Sequence, residues 1–285
     1  LLENFSAGVM EKFGLDYAKV SVGNPMLIYC AVSAYGRSGP LKDRLGFDPV
    51  TQAESGFMSM NGYPEHPAVR TSPSIMDCTT AMMTSNAILG ALFARARLGH
   101  GQYIENALFD SAVNMVGFHA LNYLASGNEP SRFGNASRDT VPTASFETAD
   151  TPVFVCCAND RTWNRLAERV IDRPDLANDA VLATTKGRVE QRDFILATVQ
   201  EAFRAQPSAY WLDRMRTAGV PAGPVASIAQ AFGSEVMAQR EMATSIPHPT
   251  AGTVPNVRLP FKLTGTPLAD PVAAPMLGQH SDWVL

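Results

Sequence analysis

The residue best placed to do chemistry in this chain is Asp77. It lies in the run Pro73-Ser74-Ile75-Met76-Asp77-Cys78-Thr79-Thr80. A loop rich in Gly, Pro, Ser and His precedes that run, and an apolar segment from Ala81 to Phe93, closing on Arg95, Arg97 and Gly99, follows it. The position reads as the start of a helix. An aspartate there serves first as a cap, its carboxylate accepting hydrogen bonds from the free N–H groups of the first turn. The same N–H groups and the helix dipole favour an ionised carboxylate. An ionised carboxylate beside a bound thioester can attack the carbonyl carbon and form a mixed anhydride. Asp77 taken alone is compatible with both roles.

The elements that would position it are legible on either side. A short helix over 7–13 capped by Ser6 and a second starting at Asp16 come first. The nearly all-apolar run Met26–Ser33 suits a buried parallel strand. It empties into the loop 34–40, with three turn formers, at the end of a strand where open α/β sheets bind ligands. Asp48-Pro49 starts a helix to Gly56. The helix from Asp77 follows, then a strand over 102–109 and a helix capped by Asp110 to about Leu124. This order of helices and strands predicts an α/β fold with a Rossmann-like, doubly wound parallel sheet over residues 1–125.

Beyond it the character changes. Residues 126–143 are polar and rich in Gly, Asn, Arg and Pro, as in a linker or a lid. A hairpin over 144–147 and 152–158 opens a smaller α+β domain over 144–246. Its helices are expected at 160–171, 187–205, 208–218, 227–232 and 234–242, with an extended piece at 219–225. In the second of them Val189, Phe194, Ile195, Val199 and Phe203 recur at helical spacing. The Pro-rich stretch from 247 is expected to return the chain, over 247–285, to the first domain.

Composition narrows the function classes. The 285 residues are 46% hydrophobic and 18% charged, with a net charge of −4, ordinary for a folded enzyme. The scattered basic residues form no field for nucleic acid. No apolar run is long enough to span a membrane. The four cysteines (30, 78, 156, 157) match neither a disulfide framework nor a zinc spacing, and read as reduced thiols of a cytoplasmic protein. The five histidines show no metal-site spacing, so no metal is expected. The chain opens on Leu1-Leu2-Glu3 without a Met and ends on what reads as the first turn of a helix. It is expected to be part of a longer protein.

A series of short motifs, in order, carries a resemblance to one family. They are Glu3-Asn4-Phe5 with Gly8-Val9-Met10 and Gly14-Leu15-Asp16; Ala34-Tyr35-Gly36 with Gly39-Pro40; Gly46-Phe47-Asp48 with Gln52 and Ser55-Gly56; and Asp77. Then come Gly99-x-Gly101-Gln102, Gly219-Val220-Pro221-x-Gly223-Pro224-Val225 and Leu277-Gly278-Gln279-His280. Together they resemble the family III CoA-transferases, the group of formyl-CoA transferase and carnitine CoA-transferase, whose fold the 2-methylacyl-CoA racemases share. Val141-Pro142-x-x-Ser145-Phe146 is most like the branch that exchanges CoA between dicarboxylic acids, such as succinyl-CoA:glutarate CoA-transferase.

The resemblance implies a transferase with acyl-CoA and a small carboxylic acid as substrates, no permanently bound cofactor, and an interlocked homodimer. It implies a further segment before Glu3 and a helix after His280, which this sequence lacks. By position Asp77 matches the nucleophile, which passes through an aspartyl anhydride and an aspartyl-CoA thioester. Asn4, Phe5 and Ser6 match residues lining the CoA site. Lys12 matches a base pairing with CoA phosphate, or is an exposed helix lysine. Leu45, Gly46, Phe47 and Asp48 match the segment beside the thioester, with Asp48 as a second acid that is also suited to cap its helix. The family's glycine-rich lid has no direct counterpart; Gly134 and Arg138 within 133–143 are the candidates, Arg138 as a carboxylate partner or a plain loop residue. Racemases place a basic His where this chain has Phe47, which cannot take a proton. An isomerase and a non-catalytic acyl-CoA binding protein remain the alternatives to a transferase.

Overall fold

The computed structural model of the chain describes residues 1–284. The chain divides into two compact units, one from Leu1 to Arg138 and one from Asp139 onward. The first is built on a three-stranded parallel sheet of β1 (Leu2–Glu3), β2 (Tyr29–Ser33) and β3 (Tyr103–Ala107), in that order. Ile28, Tyr29, Cys30 and Ala31 are buried in and just before the central strand. The strand is shorter than the apolar run, because Met26 and Leu27 turn with Pro25 to meet Gly101, whose N–H bonds the Pro25 carbonyl at 2.8 Å.

Helices α1 (Val9–Lys12) and α2 (Tyr17–Gly23) connect β1 to β2. Asp16 caps α2 through the N–H of Lys19, as its side chain suits it to do. Ser6 does not cap α1; the N-cap is Gly8, at φ 82°, so the helix starts two residues later than expected. Helix α3 (Asp48–Glu54) follows the loop from β2, and a 3₁₀ turn over Met58–Met60 follows α3. The longest element is α4 (Ile75–Leu98), 24 residues, closed by Gly99 at φ 77°. Its buried face carries Met76, Thr79, Thr80, Thr84 and Ala91, at helical spacing. The polar atoms of that face are satisfied: Thr80 Oγ1 donates to the Met76 carbonyl at 2.7 Å, and Asn106 Nδ2 of β3 donates to the Thr80 carbonyl and to Thr84 Oγ1.

After β3 the chain forms α5 (Leu108–Val116) and α6 (Phe118–Ser126) rather than one helix capped by Asp110. Gly117, at φ 62° and ψ −134°, breaks the two apart, and Asp110 lies inside the first turn of α5.

The second unit has an antiparallel sheet of β4 (Thr143–Phe146), β5 (Val153–Cys156) and β6 (Ala222–Pro224), with Phe146 opposite Val153 as the hairpin reading requires. Its helices are α7 (Asp160–Arg165) with a π turn over Leu166–Val170, α8 (Pro174–Ala177), α9 (Thr185–Glu190), α10 (Arg192–Arg204) and α11 (Ser208–Ala218), of which α10 packs on β4 and α11 on β6. Ile195, Val199 and Phe203 are buried along α10; Phe194, on the same expected stripe, is exposed. Phe203 stacks on Trp211, whose indole N–H donates to the Phe203 carbonyl at 2.8 Å. Arg188 is wholly buried and satisfied by the carbonyls of Val141 and Leu182, Thr185 Oγ1 and the Asp160 carboxylate. Helices α12 (Ile228–Phe232) and α13 (Glu235–Arg240) lead into a two-stranded ribbon, β7 (Ala243–His248) and β8 (Gly252–Val257), and α14 (Ser281–Val284) ends the described chain. The ribbon replaces part of the structureless Pro-rich stretch expected from 247.

Candidate active site

Asp77 is the third residue of α4, exposed, one turn in from the N-cap Ser74. It is therefore not the cap of its own helix. The cap comes from α3. Asp48, the first residue of α3, is 3% exposed, and its Oδ2 accepts the N–H of Met76 at 2.6 Å and that of Asp77 at 3.2 Å. Its Oδ1 accepts from Gln52 Nε2 at 2.6 Å, one turn along α3. Asp48 does not cap α3 either, where the N-cap is Phe47, without a side-chain bond. Its carboxylate is occupied on both oxygens by the protein.

This arrangement reverses one expectation. Two of the first-turn N–H groups that would stabilise a charge on Asp77 are given to Asp48 instead. The Asp77 carboxyl is raised from its ordinary value of 3.8, first by burial against the protein and then by the Asp48 charge. The site is thus a pair of acids with different surroundings: one inside and fully hydrogen-bonded, one outside and pushed toward holding its proton.

Gln52 completes the inner group. It is wholly buried. Its Oε1 accepts from the Thr71 N–H at 2.9 Å and from Thr71 Oγ1 at 3.3 Å. Thr71 belongs to the segment that leads into α4, so the amide joins α3 to that segment. The motif position of Gln52 was legible, but its partner Thr71, 19 positions on, was not.

The approach to α3 is packed closely. A Cβ on Gly46 would lie 2.7 Å from Ala34 Cβ and 2.8 Å from the Tyr35 ring, so a glycine is required where the two loops meet. Tyr35 Oη donates to Glu54 at 2.7 Å, and the Arg44 guanidinium lies over the Tyr35 ring and pairs with Glu54. Leu45 and Phe47 stay exposed on either side of Gly46.

Asn4, Phe5 and Ser6 are exposed and follow directly on β1. The turn they form is held from inside by Glu3 and Arg37. Glu3 Oε2 accepts the Phe5 N–H at 2.8 Å, and Arg37 donates to both Glu3 oxygens at 2.8 Å, to the Phe5 carbonyl at 2.7 Å and to the Val32 carbonyl at 3.1 Å. A hollow of about 80 Å³ beside them is lined by Glu3, Ser6, Tyr17, Tyr29, Arg37 and Tyr103. Lys12 is exposed at the end of α1. A larger cavity, about 560 Å³, lies in the second unit around Arg240, Met242, Phe261, Lys262 and Leu268, and includes none of these residues.

Gly134 lies against the loop before α4: its N–H donates to the Gly62 carbonyl at 2.9 Å. Arg132, which the sequence did not single out, donates to the carbonyls of Ser59, Tyr63, Pro64 and His66. Arg138 is exposed at the end of the first unit. Burial pushes the Cys30 thiol up and that of Cys157 to about 12, so neither is a ready thiolate. Among the described residues no cluster of three or more His, Cys, Asp or Glu could hold a metal ion, and no helix is long and apolar enough to cross a membrane.

The class of the protein comes from comparison with known families. A family-level model described as CoA-transferase family III matches residues 1–281. The chain belongs to that family. It is similar to an acetyl-CoA:oxalate CoA-transferase of Acetobacter aceti, with 35% identity over 85% of this chain and 62% of the relative. It is also similar to a succinate–glutarate CoA-transferase of Agrobacterium fabrum, with 32% identity over 100% of this chain and 71% of the relative. The human succinyl-CoA:glutarate CoA-transferase is 28% identical over 100% of the chain and 65% of its own length. The chain thus spans about two thirds of the length of these curated relatives. Among solved structures, a CaiB/BaiF family protein from Brucella suis matches 99% of this chain and 73% of its own, with a TM-score of 0.86 at 32% identity.

Proposed function

We propose that the protein moves CoA from an acyl-CoA donor to a carboxylic acid, most specifically a dicarboxylic acid, with Asp77 as the attacking group. The observation that carries this reading is the exposed Asp77 carboxylate at the head of α4, on a chain matched almost end to end by CoA-transferase family III. Relatives named for oxalate, glutarate and mesaconate transfer support dicarboxylic substrates.

In the proposed sequence an Asp77 oxygen attacks the thioester carbonyl carbon, the C–S bond breaks, and CoA leaves as thiolate. The thiolate attacks the Asp77 carbonyl of the resulting anhydride and the donor acid leaves as carboxylate. The acceptor carboxylate then attacks the Asp77–CoA thioester, giving a second anhydride and thiolate. Attack of that thiolate on the acceptor's acyl carbon yields the new thioester and frees Asp77. No net proton is consumed, so the site needs an anionic attacker but no general base. Phe47, exposed in the segment before α3, offers no proton acceptor, which favours transfer over isomerisation.

In this reading Asn4, Phe5, Ser6 and Lys12 contact CoA, and Leu45, Gly46 and Phe47 lie beside the thioester with the backbone of Asp48. Gly134 and Arg138 belong to a cover over the acid. The large unit comprises residues 1–125, with 126–143 as linker or lid, 144–246 as the small domain and 247–285 returning to the large one. The working form is an interlocked homodimer in the cytoplasm.

The test is mass spectrometry of the protein quenched after mixing with succinyl-CoA. An acyl or CoA adduct on Asp77 is expected. Asp77→Ala is expected to lose the adduct and at least about a thousandfold in transfer rate while still binding CoA. Undiminished transfer by Asp77→Ala overturns the covalent route.

A further inference from the structure

We propose that Gln52 is a positioning residue for Asp77, holding the Asp48 carboxylate in the one orientation that caps α4. The proposal rests on the reading of Asp77 as the attacking group.

The amide is wholly buried, and a buried amide is costly unless both ends are bonded. Here both are. The Thr71 N–H can only donate, so the amide oxygen must face Thr71 and the NH₂ must face Asp48. With Oδ1 of Asp48 held by Gln52 at 2.6 Å, Oδ2 is left facing the N–H groups of Met76 and Asp77. The main chain of Asp77 is therefore fixed through two side chains on α3. Thr71 is itself tied down, its single hydroxyl proton shared between Gln52 Oε1 and the Pro73 carbonyl, and its own carbonyl accepting from Arg70. One amide thus links three pieces: the helix that supplies the cap, the segment leading into α4, and the first turn that presents the attacking oxygen.

The group has a chemical signature. In Gln52→Glu a protonated carboxyl offers one donor toward Asp48 and an acceptor toward Thr71, the same pattern as the amide. Two carboxyls that close share one proton, and losing it puts like charges side by side. The charged and titratable groups on the elements packed about Gln52 are Asp48 and Glu54 on α3, Arg70 before α4, Asp77, Cys78, Arg95 and Arg97 on α4, and Asp110 on α5. Of these only Asp48 bonds the amide.

The experiment follows adduct formation on residue 77 by rapid quench with succinyl-CoA, across pH, in the unaltered protein, Gln52→Leu and Gln52→Glu. CoA affinity is measured alongside by calorimetry. Gln52→Leu is expected to slow adduct formation about tenfold with CoA affinity unchanged. Gln52→Glu is expected to match the unaltered rate at low pH and to lose it as pH rises, a descending limb that the unaltered protein lacks. A side chain that only stabilises the fold would lower the melting temperature in Gln52→Leu and leave the rate as it was; that result overturns the proposal. If Gln52→Leu does not fold, Gln52→Glu decides, and a pH profile like that of the unaltered protein overturns it. Absence of any adduct in the unaltered protein overturns the reading of Asp77 and this proposal with it. An adduct that forms in Gln52→Leu at the unaltered rate overturns this proposal alone.

Discussion

Asp48 Oδ2 accepts the main-chain N–H of Asp77 at 3.2 Å, across 29 positions of sequence. The exposed acid, proposed above as the attacking group, is thus anchored by an acid that stays inside. The inner carboxylate binds the backbone of the outer residue and at the same time opposes the charge on its side chain.

The activity should carry that opposition as an acid limb. The proposed attacking group would work ionised, and the Asp77 carboxyl is raised from 3.8 by burial and by the Asp48 charge. The rate of adduct formation at saturating thioester is expected to fall as pH drops, with a midpoint above 3.8. A pH series of rapid-quench measurements checks it; a midpoint at or below the ordinary carboxylate value contradicts the Asp48 effect.

Stability should show the same coupling with a definite sign. An acid whose folded pKa is raised holds its proton more tightly in the folded chain than in the unfolded one. Its favourable contribution is complete below the unfolded value and is lost as pH climbs through the folded value. At neutral pH the ionised Asp77 therefore opposes folding. Asp77→Asn is expected to melt above the unaltered protein at neutral pH, the gap narrowing as pH falls toward 3.8. Calorimetric scans at several pH values measure this.

Removing the inner acid has the opposite effect. Asp48→Ala leaves the N–H of Met76 and the amide of Gln52 without the acceptor they have now. A lost cap together with buried unpaired donors costs about 2 kcal/mol or more. Urea denaturation is the measurement, and a change within error would mean that water replaces the carboxylate.

The Glu3–Arg37 pair should behave as a buried ion pair. The two side chains are 5% and 15% exposed. Arg37→Gln leaves the Glu3 charge with only the Phe5 N–H and frees the Phe5 carbonyl. A loss of about 3–5 kcal/mol is expected, readable in the denaturation midpoint. Arg173→Gln, at a surface pair with Asp175, should cost no more than about 1 kcal/mol.

Gly134 offers a steric test of the segment following α6. Its φ is 57°, and a Cβ there would lie 2.2 Å from the Tyr63 ring. Gly134→Ala is expected to destabilise the protein by about 1–3 kcal/mol. Adding Tyr63→Ala should recover the part due to the clash and leave about 1 kcal/mol for the left-handed backbone.

What was legible in the sequence was local. The apolar run 26–33, the Asp48-Pro49 start and the hairpin expected over 144–147 and 152–158 are short-range patterns, and each forms near its expected place. The cap of α4 was not legible: Ser74 and Asp77 are both good cap residues by type, and nothing in their spacing says that Asp48 takes the position. Arg132 escaped for the same reason, since its partners are carbonyls far along the chain, and the Val141 carbonyl bonded by Arg188 is as distant; carbonyls leave no mark in a residue string. The break at Gly117 could have been read from the glycine itself. The 243–257 ribbon was hidden by Pro247 and Pro255, which a two-stranded ribbon tolerates because each strand has an edge free of ladder bonds.

Arg132 gathers four carbonyls between residues 59 and 66, tying that stretch to the segment carrying Gly134. On the proposed reading of this segment as a cover over the acid, adaptation to a longer or shorter acid would not proceed by small adjustments of either piece alone. Exchanging one acceptor for another would demand paired changes on both sides of the guanidinium, and single substitutions there should spoil turnover before they redirect it.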